Sequence, residues 1–439
     1  MKLPRYPKYK DSGVKWLGQV PEHWKVLPCR ALVVEQTTKN EGAENDNYLS
    51  LMANVGIIPY EEKGDIGNKK PDDLSKCKMV SVGDLVINSM NYRIGSYGLS
   101  ALNGVCSPVY IVLRPRPGRV EPRFAFRLFE NRAFQNFAQS FGNGILDHRA
   151  AISWDTLKNL GLSVPTPEEQ NSILTFLDGE TYKIDDLISE QQHLIELLKE
   201  ERQAIISHAV TKGLNPDAPM KPSGVKWLGY VPTSWKVCLL KRAFRSVEYG
   251  ISDAVGSDGS IAILRMGNIV GGKIDYTDLK YIDAVDGSLL LQAGDLLYNR
   301  TNSLDQIGKV GLFHGDVEGQ FSFASYLVRL RTGPDSLPEF FAYLLNTENI
   351  LGLARASAFV AIGQCNLNPS RYGRIIVAIP PKTEQLEIVH YLDKATAKID
   401  ILISDAFSTI DILQERRSAL ISAAVTGQID VRGESSAAQ

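Results

Sequence analysis

The chain has 439 residues, 44% hydrophobic and 22% charged, with a formal net charge of −2; this is the composition of a folded globular protein and excludes a disordered or fibrous one. No stretch approaches ~18 uncharged apolar residues, which excludes a membrane-spanning helix. Five scattered cysteines (Cys29, Cys77, Cys106, Cys238, Cys365) with no CxxC argue against a disulfide framework or a zinc site and point to a reducing cytoplasm.

The opening MKLPRYPKYKDSG has no apolar segment of signal-peptide type. Residues 12–26, SGVKWLGQVPEHWKV, return at 223–237 as SGVKWLGYVPTSWKV; twelve of fifteen positions match, and only Gln19/Tyr230, Glu22/Thr233 and His23/Ser234 differ. Next come apolar runs bounded by Gly and Pro, the signature of strands, at 80–88 and 110–114. Their counterparts lie at 290–299 and 326–331, with Gly83-Asp84-Leu85 and Gly294-Asp295-Leu296 offset by 211 residues. Helical spacing of large apolar residues follows at 124–137 and 338–351.

Thr166-Pro167-Glu168-Glu169 starts a helix: a capping hydroxyl, Pro at the first helical position and Glu three residues after the cap. Asp178-Gly179 reads as a break, and residues 181–210 contain neither Pro nor Gly. Ile184, Leu187, Ile188, Leu194, Ile195, Leu198, Ile205 and Ile206 recur there at three- to four-residue spacing. KIDDLI (183–188) and AIISHAVT (204–211) are echoed 215 residues later by KIDILI and ALISAAVT, which bring Ile399, Leu402, Ile403, Ile410, Leu413 and Leu420. Each stretch of roughly 30 residues makes a helix of about 45 Å. Narrow apolar stripes with charged flanks suit a coiled-coil seam, so each helix is the simplest partner for the other. The connector at 213–222 holds three prolines and is too short for a parallel return, which leaves an antiparallel pair.

The expected fold is therefore α+β: two similar mixed α/β domains separated by two long antiparallel, coiled-coil-like helices, an internal pseudo-two-fold repeat. The expected boundaries are 1–165 and 216–378 for the domains, 166–215 and 379–432 for the helical regions, and 433–439 for a disordered tail. Charge follows this division. Residues 1–165 carry 22 basic against 16 acidic residues (+6), 166–215 carry 4 against 10 (−6), 216–378 carry 16 against 15 (+1), and 379–439 carry 6 against 9 (−3). A polyanion suits the first domain and is permitted by the second.

Catalytic motifs are missing. There is no GxxxxGK[ST] phosphate loop, no HExxH among the six histidines, and no [DE]xK after Pro71-Asp72-Asp73. Asn368-Pro369-Ser370-Arg371-Tyr372 only faintly echoes the [ND]PP[YF] motif of amino-methyltransferases. It lacks the second Pro and the adjacent aromatic, and no Gly-rich cofactor strand precedes it. The weight shifts from catalysis to binding, and no metal site is expected.

The duplicated SGVKWLGxVPxxWKV, the GDL strand, the Pro-rich run into Glu-Gln (165–170 and 380–385) and the ID-L-I helix ending in AVT resemble the specificity subunit of type I restriction-modification enzymes over roughly residues 8–430. The resemblance implies that each domain is a target-recognition domain for double-stranded DNA. It also implies that the helices set the domain separation and dock two modification (methyltransferase) subunits. Restriction (motor-nuclease) subunits join through the complex. Cleavage and methylation belong to those partners, so S-adenosylmethionine, ATP and Mg are expected there and no cofactor on this chain. Two unlike domains predict a bipartite, asymmetric site with an unread spacer. A helix pair of about 45 Å is the right scale for a ruler against about 34 Å per turn of DNA.

The expected DNA-binding residues lie in the loop after each GDL strand: Asn91, Tyr92, Arg93, Ser96 and Tyr97 in the first domain, Arg300, Thr301, Asn302, Ser303, Gln306 and Lys309 in the second. Arg pairs with guanine O6/N7, Asn or Gln with adenine N6/N7, and Tyr stacks or reaches phosphate. A second group precedes each long helix: Arg149, then Gln364 and Arg371, beside the apolar anchors Ile152 and Leu367. The expected helix–helix spacer residues are Ile184, Leu187, Leu194, Leu198, Ile205, Ile399, Leu402, Ile410, Leu413 and Leu420. Trp16, Trp24, Trp227 and Trp235 are placed identically in both halves and read as scaffold. By the same logic, differences such as His23/Ser234 mark readers. The competing readings are a scaffold that docks only protein through its helices, and a cryptic methyltransferase using Asn368 and Tyr372.

Overall fold

Both copies of the repeated segment fold into a short hairpin: Tyr9–Asp11 pairs with Gln19–Pro21, and Met220–Pro222 pairs with Tyr230–Pro232. These and all contacts below come from a computed structural model that describes residues 3–67, 69–142, 151–361 and 363–433. The expected reader Arg149, with Asp147 and His148, and the tail from 434 onward lie outside the described residues. The chain divides into two compact units, 1–191 with 408–439 and 192–407.

In unit 1, β1 (Val33–Glu35), β2 (Leu85–Asn88), β3 (Tyr97–Leu99) and β4 (Tyr110–Pro115) form a sheet in the order β1-β4-β2-β3. The strand read at 80–88 starts only at Leu85, because Gly83 turns the chain at φ 86°. The helical stretch expected at 124–137 is two helices, α1 (Pro122–Glu130) and α2 (Arg132–Gln139). Asn131 separates them, its side-chain oxygen accepting from the backbone N–H of Ala133 at 2.8 Å.

The first long helix, α3, runs unbroken over Pro167–Lys212, 46 residues or about 69 Å. Thr166 caps it, its hydroxyl accepting from the Glu169 N–H at 3.4 Å. The break expected at Asp178-Gly179 does not occur. A glycine inside a helix costs only about 0.5–1 kcal/mol. Burial of Ile173, Leu174 and Leu177, and the Asp178–Arg123 ion pair at 2.6 Å, offset that cost.

Unit 2 repeats the plan. Its sheet has the order β5-β9-β6-β8, from β5 (Phe244–Tyr249), β6 (Asp295–Asn299), β8 (Val310–Phe313) and β9 (Leu327–Thr332). Again the GDL strand is short, starting at Asp295 after Gly294 at φ 91°. Between β6 and β8 lies β7 (Thr301–Asn302), which joins β10 (Phe359–Ala361) and β11 (Gln364–Asn366) in a small sheet ordered β7-β11-β10. The stretch 338–351 again splits, into α4 (Pro338–Leu345) and α5 (Glu348–Ser357). The second long helix, α6, spans Lys382–Val425, 44 residues.

Each long helix gives half its length to each unit. Inside unit 1 the first half of α3 and the second half of α6 run antiparallel. Ile173, Leu174 and Leu177 share a core with Ile421, Ala424 and Val425, and Asp185 meets Arg417 at 2.9 Å. Unit 2 repeats this at the 215 offset: Ile388, Val389 and Leu392 share a core with Ile206, Ala209 and Val210, and Asp400 meets Arg202 at 2.9 Å. Of the expected spacer residues, Ile184, Leu198, Ile399 and Ile410 are buried and Ile205, Leu413 and Leu420 half-buried. Leu187, Leu194 and Leu402 are instead exposed at 44, 42 and 52%, and Ile195 takes the buried place beside Leu194. The buried stripe is narrower than the run of apolar residues.

Trp24 and Trp235 are fully buried scaffold, each under the C-terminal end of a long helix. Trp235 donates to Glu384 at 2.9 Å. In unit 1 the equivalent Glu169 is bonded to the His23 ring at 2.9 Å, and the Trp24 indole N–H has no partner among the described residues. The difference between His23 and Ser234 is therefore a difference in how this seat is bonded. Gly427, just past α6, sits at φ 72°, and a Cβ there would fall 2.3 Å from Pro21 Cδ. Gly427→Ala is expected to cost about 1–3 kcal/mol through backbone strain, read as a lower urea midpoint. An unchanged midpoint would mean that this seat gives way freely.

Candidate nucleic-acid interface

The two groups of expected readers in unit 2 meet at the same small sheet, which holds Thr301, Asn302 and Gln364 themselves. Thr301 pairs with Asn366, Asn302 pairs with Cys365, and the Leu367 N–H donates to the Arg300 carbonyl at 2.8 Å. Unit 1 makes the corresponding bond, Ile152 N–H to the Ser89 carbonyl at 3.0 Å, at repeat offsets of 215 and 211. The anchors Ile152 and Leu367 are both buried, as their spacing requires.

Within unit 2 the side chains divide. Arg300 lies over the Tyr249 ring at 5.0 Å and donates to the Ser325 carbonyl at 3.2 Å. Arg371 lies over the Phe359 ring at 3.9 Å. A guanidinium backed by an aromatic face keeps its charge and its donor edge while losing side-chain freedom. Gln364, Ser303 and Arg371 are exposed; Asn302, Gln306 and Lys309 are half-buried, with Lys309 donating to Gln306 at 2.9 Å. Ser303 and Gln306 also bond Asp305 and hold its carboxyl below the usual range, so this end of the loop keeps one negative charge. Thr301 is buried, and its hydroxyl accepts from the Asn366 amide at 3.1 Å. Its side chain builds the sheet and is not free to read bases.

Unit 1 offers less than its sequence suggests. Asn91 and Arg93 are exposed at the tip of the loop. Tyr92 is fully buried, with its hydroxyl donating to the Phe129 carbonyl and burial pushing its pKa well up. Ser96 is buried too, its N–H bonded to the Asn91 carbonyl at 3.2 Å. Tyr97 packs between Tyr92 (5.7 Å) and Phe126 (5.9 Å), and burial, then the Glu130 carboxylate, raises its phenol to about 12. The Tyr92 and Tyr97 side chains pin the loop to α1, and Ser96 is buried within the loop, so of the five expected residues only Asn91 and Arg93 present exposed side chains.

Asn368 and Tyr372, the residues of the methyltransferase alternative, have structural jobs. The Asn368 side chain caps a helical turn by accepting from the Ser370 N–H at 2.8 Å, and Tyr372 is buried against Tyr298 at 4.7 Å. Among the described residues, no three His, Cys, Asp or Glu side chains gather as a metal site, and no helix is long and apolar enough to cross a membrane. Tyr249 and Phe359, which support the two arginines, were not legible as site residues. Tyr249 ends an ordinary alternating strand, and Phe359 sits in a short apolar run ahead of the Gly363 turn.

No family model matches the chain. Among curated proteins, the type I restriction enzyme EcoKI specificity subunit of Escherichia coli (strain K12) is 23% identical over 94% of this chain and 90% of its own length. The type I restriction enzyme StySPI specificity subunit of Salmonella potsdam is 22% identical over the same shares. A putative MjaX specificity subunit of Methanocaldococcus jannaschii is 26% identical over 44% of this chain and 46% of its own. Among solved structures, a chain described under complex assembly and conformational transition of the type I R-M system superposes with a TM-score of 0.69 at 14% identity. That superposition covers 92% of this chain and 98% of the other, and it establishes the shared fold. By full-length sequence similarity, by fold and by its doubled architecture, the chain resembles the specificity subunits of type I restriction-modification systems.

Proposed function

We propose that the chain is the non-catalytic, DNA-sequence-recognising subunit of a type I restriction-modification complex, with each unit reading one half of a bipartite, asymmetric target. The globular parts, 1–165 and 216–378, act as target-recognition domains, and the helical regions, 166–215 and 379–432, fix the length of the unread spacer. One observation supports this above the rest: the apolar seats under the two Trp residues match at all but one of six helix positions, Leu174 against Val389, while the loops that follow the GDL strands differ. A fixed seat with variable loops is what two different half-sites require.

The helices also carry equivalent exposed apolar positions. Leu187 and Ile412 in unit 1 correspond at the 215 offset to Leu402 and Leu197 in unit 2, and all four are exposed. Two equivalent patches suit two modification subunits. Those subunits bind S-adenosylmethionine, and the motor-nuclease subunits that join them use ATP and Mg. The whole assembly works in the cytoplasm, where its DNA is.

The reading is tested by binding of the assembled specificity–modification complex to target DNA between 50 and 200 mM salt. A loss of about 10³-fold or more is expected for six or more phosphate contacts. Binding that ignores salt, or no binding of DNA while the modification subunits remain attached, would favour a purely protein-docking scaffold.

A further inference from the structure

The outer edge of the small sheet in unit 2 is apolar. β10 is a three-residue edge strand on which Phe359 is 58% exposed and Val360 71% exposed. Neighbouring strand residues point to opposite faces, so both faces of this edge end in an apolar side chain in water. A strand this short and a nearby charge limit pairing with another strand, so what the edge offers is its two exposed apolar side chains, which suit an apolar contact.

The surroundings say which kind. The Arg371 guanidinium lies 3.9 Å from the centre of the Phe359 ring, so one face of the ring is backed by a cation. Gln364 is exposed beside the Gly363 turn at φ 84°, at the end of the strand paired with β10. Through β11 the edge is tied to β7, whose preceding residue, Arg300, is stacked on the exposed Tyr249. An apolar tip backed by the Arg371 guanidinium, with the Gln364 amide at the end of the paired strand, has the chemistry of a wedge for duplex DNA. The apolar atoms suit the space between base pairs, and the cations suit the phosphates beside it.

We propose that Phe359 and Val360 form a wedge that enters a groove of the duplex at the half-site read by unit 2 and unstacks one base step there. This deepens the DNA-recognition reading and rests on it. It adds a source of specificity that needs no base-edge contact, since pyrimidine–purine steps open most easily.

The test uses the specificity–modification complex and target duplexes with 2-aminopurine placed at successive positions of the unit 2 half-site. Binding of the wild-type complex is expected to brighten one position besides the base that the partner flips for methylation. Val360→Ser, at an exposed site that tolerates the change, and the milder Phe359→Leu are expected to lose that brightening and to keep the signal at the methylated base. No extra bright position in the wild type, or one unchanged in both variants, overturns the wedge. If either variant sheds its modification subunit, the tip is a protein dock and the wedge is likewise overturned. Salt-sensitive binding without any wedge signal leaves the recognition reading standing, whereas a wild-type complex that binds no DNA removes both.

Discussion

Replacing Asp295 with alanine is expected to weaken unit 2 by about 3–5 kcal/mol, because it breaks a buried ion pair and leaves the fully buried Arg329 with Glu248 as its one carboxylate neighbour. Asp295 is itself buried and grips Arg331 through both oxygens, at 2.6 and 3.1 Å, and this bonding raises the Arg331 pKa. It also holds the turn before β6 by accepting from the Gln292 N–H at 2.9 Å, and it lies 3.8 Å from Arg329. Arg329 is fully buried, and its other anionic neighbour is Glu248. In unit 1 the equivalent Asp84 accepts two bonds from Arg114 at 2.8 Å and one from the Ser81 N–H at 2.8 Å. The Arg114 side chain is 45% exposed and can turn to water when its partner is lost. Asp84→Ala should therefore cost only about 1–3 kcal/mol, the charge of an unmade buried bond. Hydrogen exchange at the amides of residues 296–298 and 85–87 separates the two. Equal losses of protection would show that the buried Arg329 does not depend on Asp295.

The second large effect is on what the protein reads. The globular part of each unit leaves the scaffold through one pair of strands: Lys25–Pro28 against Gly161–Val164 in unit 1, Lys236–Leu239 against Ile376–Ile379 in unit 2. The helix seat beneath each pair is nearly the same. Ile421, Ala424 and Val425 under unit 1 match Ile206, Ala209 and Val210 under unit 2, identical in type. Ile173, Leu174 and Leu177 match Ile388, Val389 and Leu392. Residues 28–161 grafted in place of 239–376 should therefore find the packing they already use, at a cost near that of a conservative core exchange, under ~1.5 kcal/mol per site. The grafted protein is expected to fold and to exchange its second half-site for a copy of the first.

Much of the architecture is legible in the sequence because it is written twice. The long helices and the scaffold role of Trp24 and Trp235 follow from residues that recur at offsets of 211 and 215, while the Thr166 cap and the antiparallel pairing within each unit follow from single features, the TPEE start and the short connector. What was misread depends on contacts far away in sequence. Asp178-Gly179 stays helical because Arg123 and the unit 1 core hold it. Leu187, Leu194 and Leu402 fit the heptad pattern as well as their neighbours do, and only the packing decides which of them is buried. In the loops, Tyr92, Ser96 and Thr301 are the residue types that DNA readers use, yet each is committed to the fold. Tyr92 is held by the Phe129 carbonyl, 37 residues away. Composition points to a candidate loop; it does not say which of its side chains are already engaged.

The most direct test is single-molecule methylation mapping of DNA from cells that carry the grafted subunit with its own modification partner. Both parts of the methylated target are predicted to match the half that the wild type reads with unit 1, with the former second half gone. A map identical to that of the wild type, or one in which both halves have changed, would contradict the assignment of one half-site to each unit.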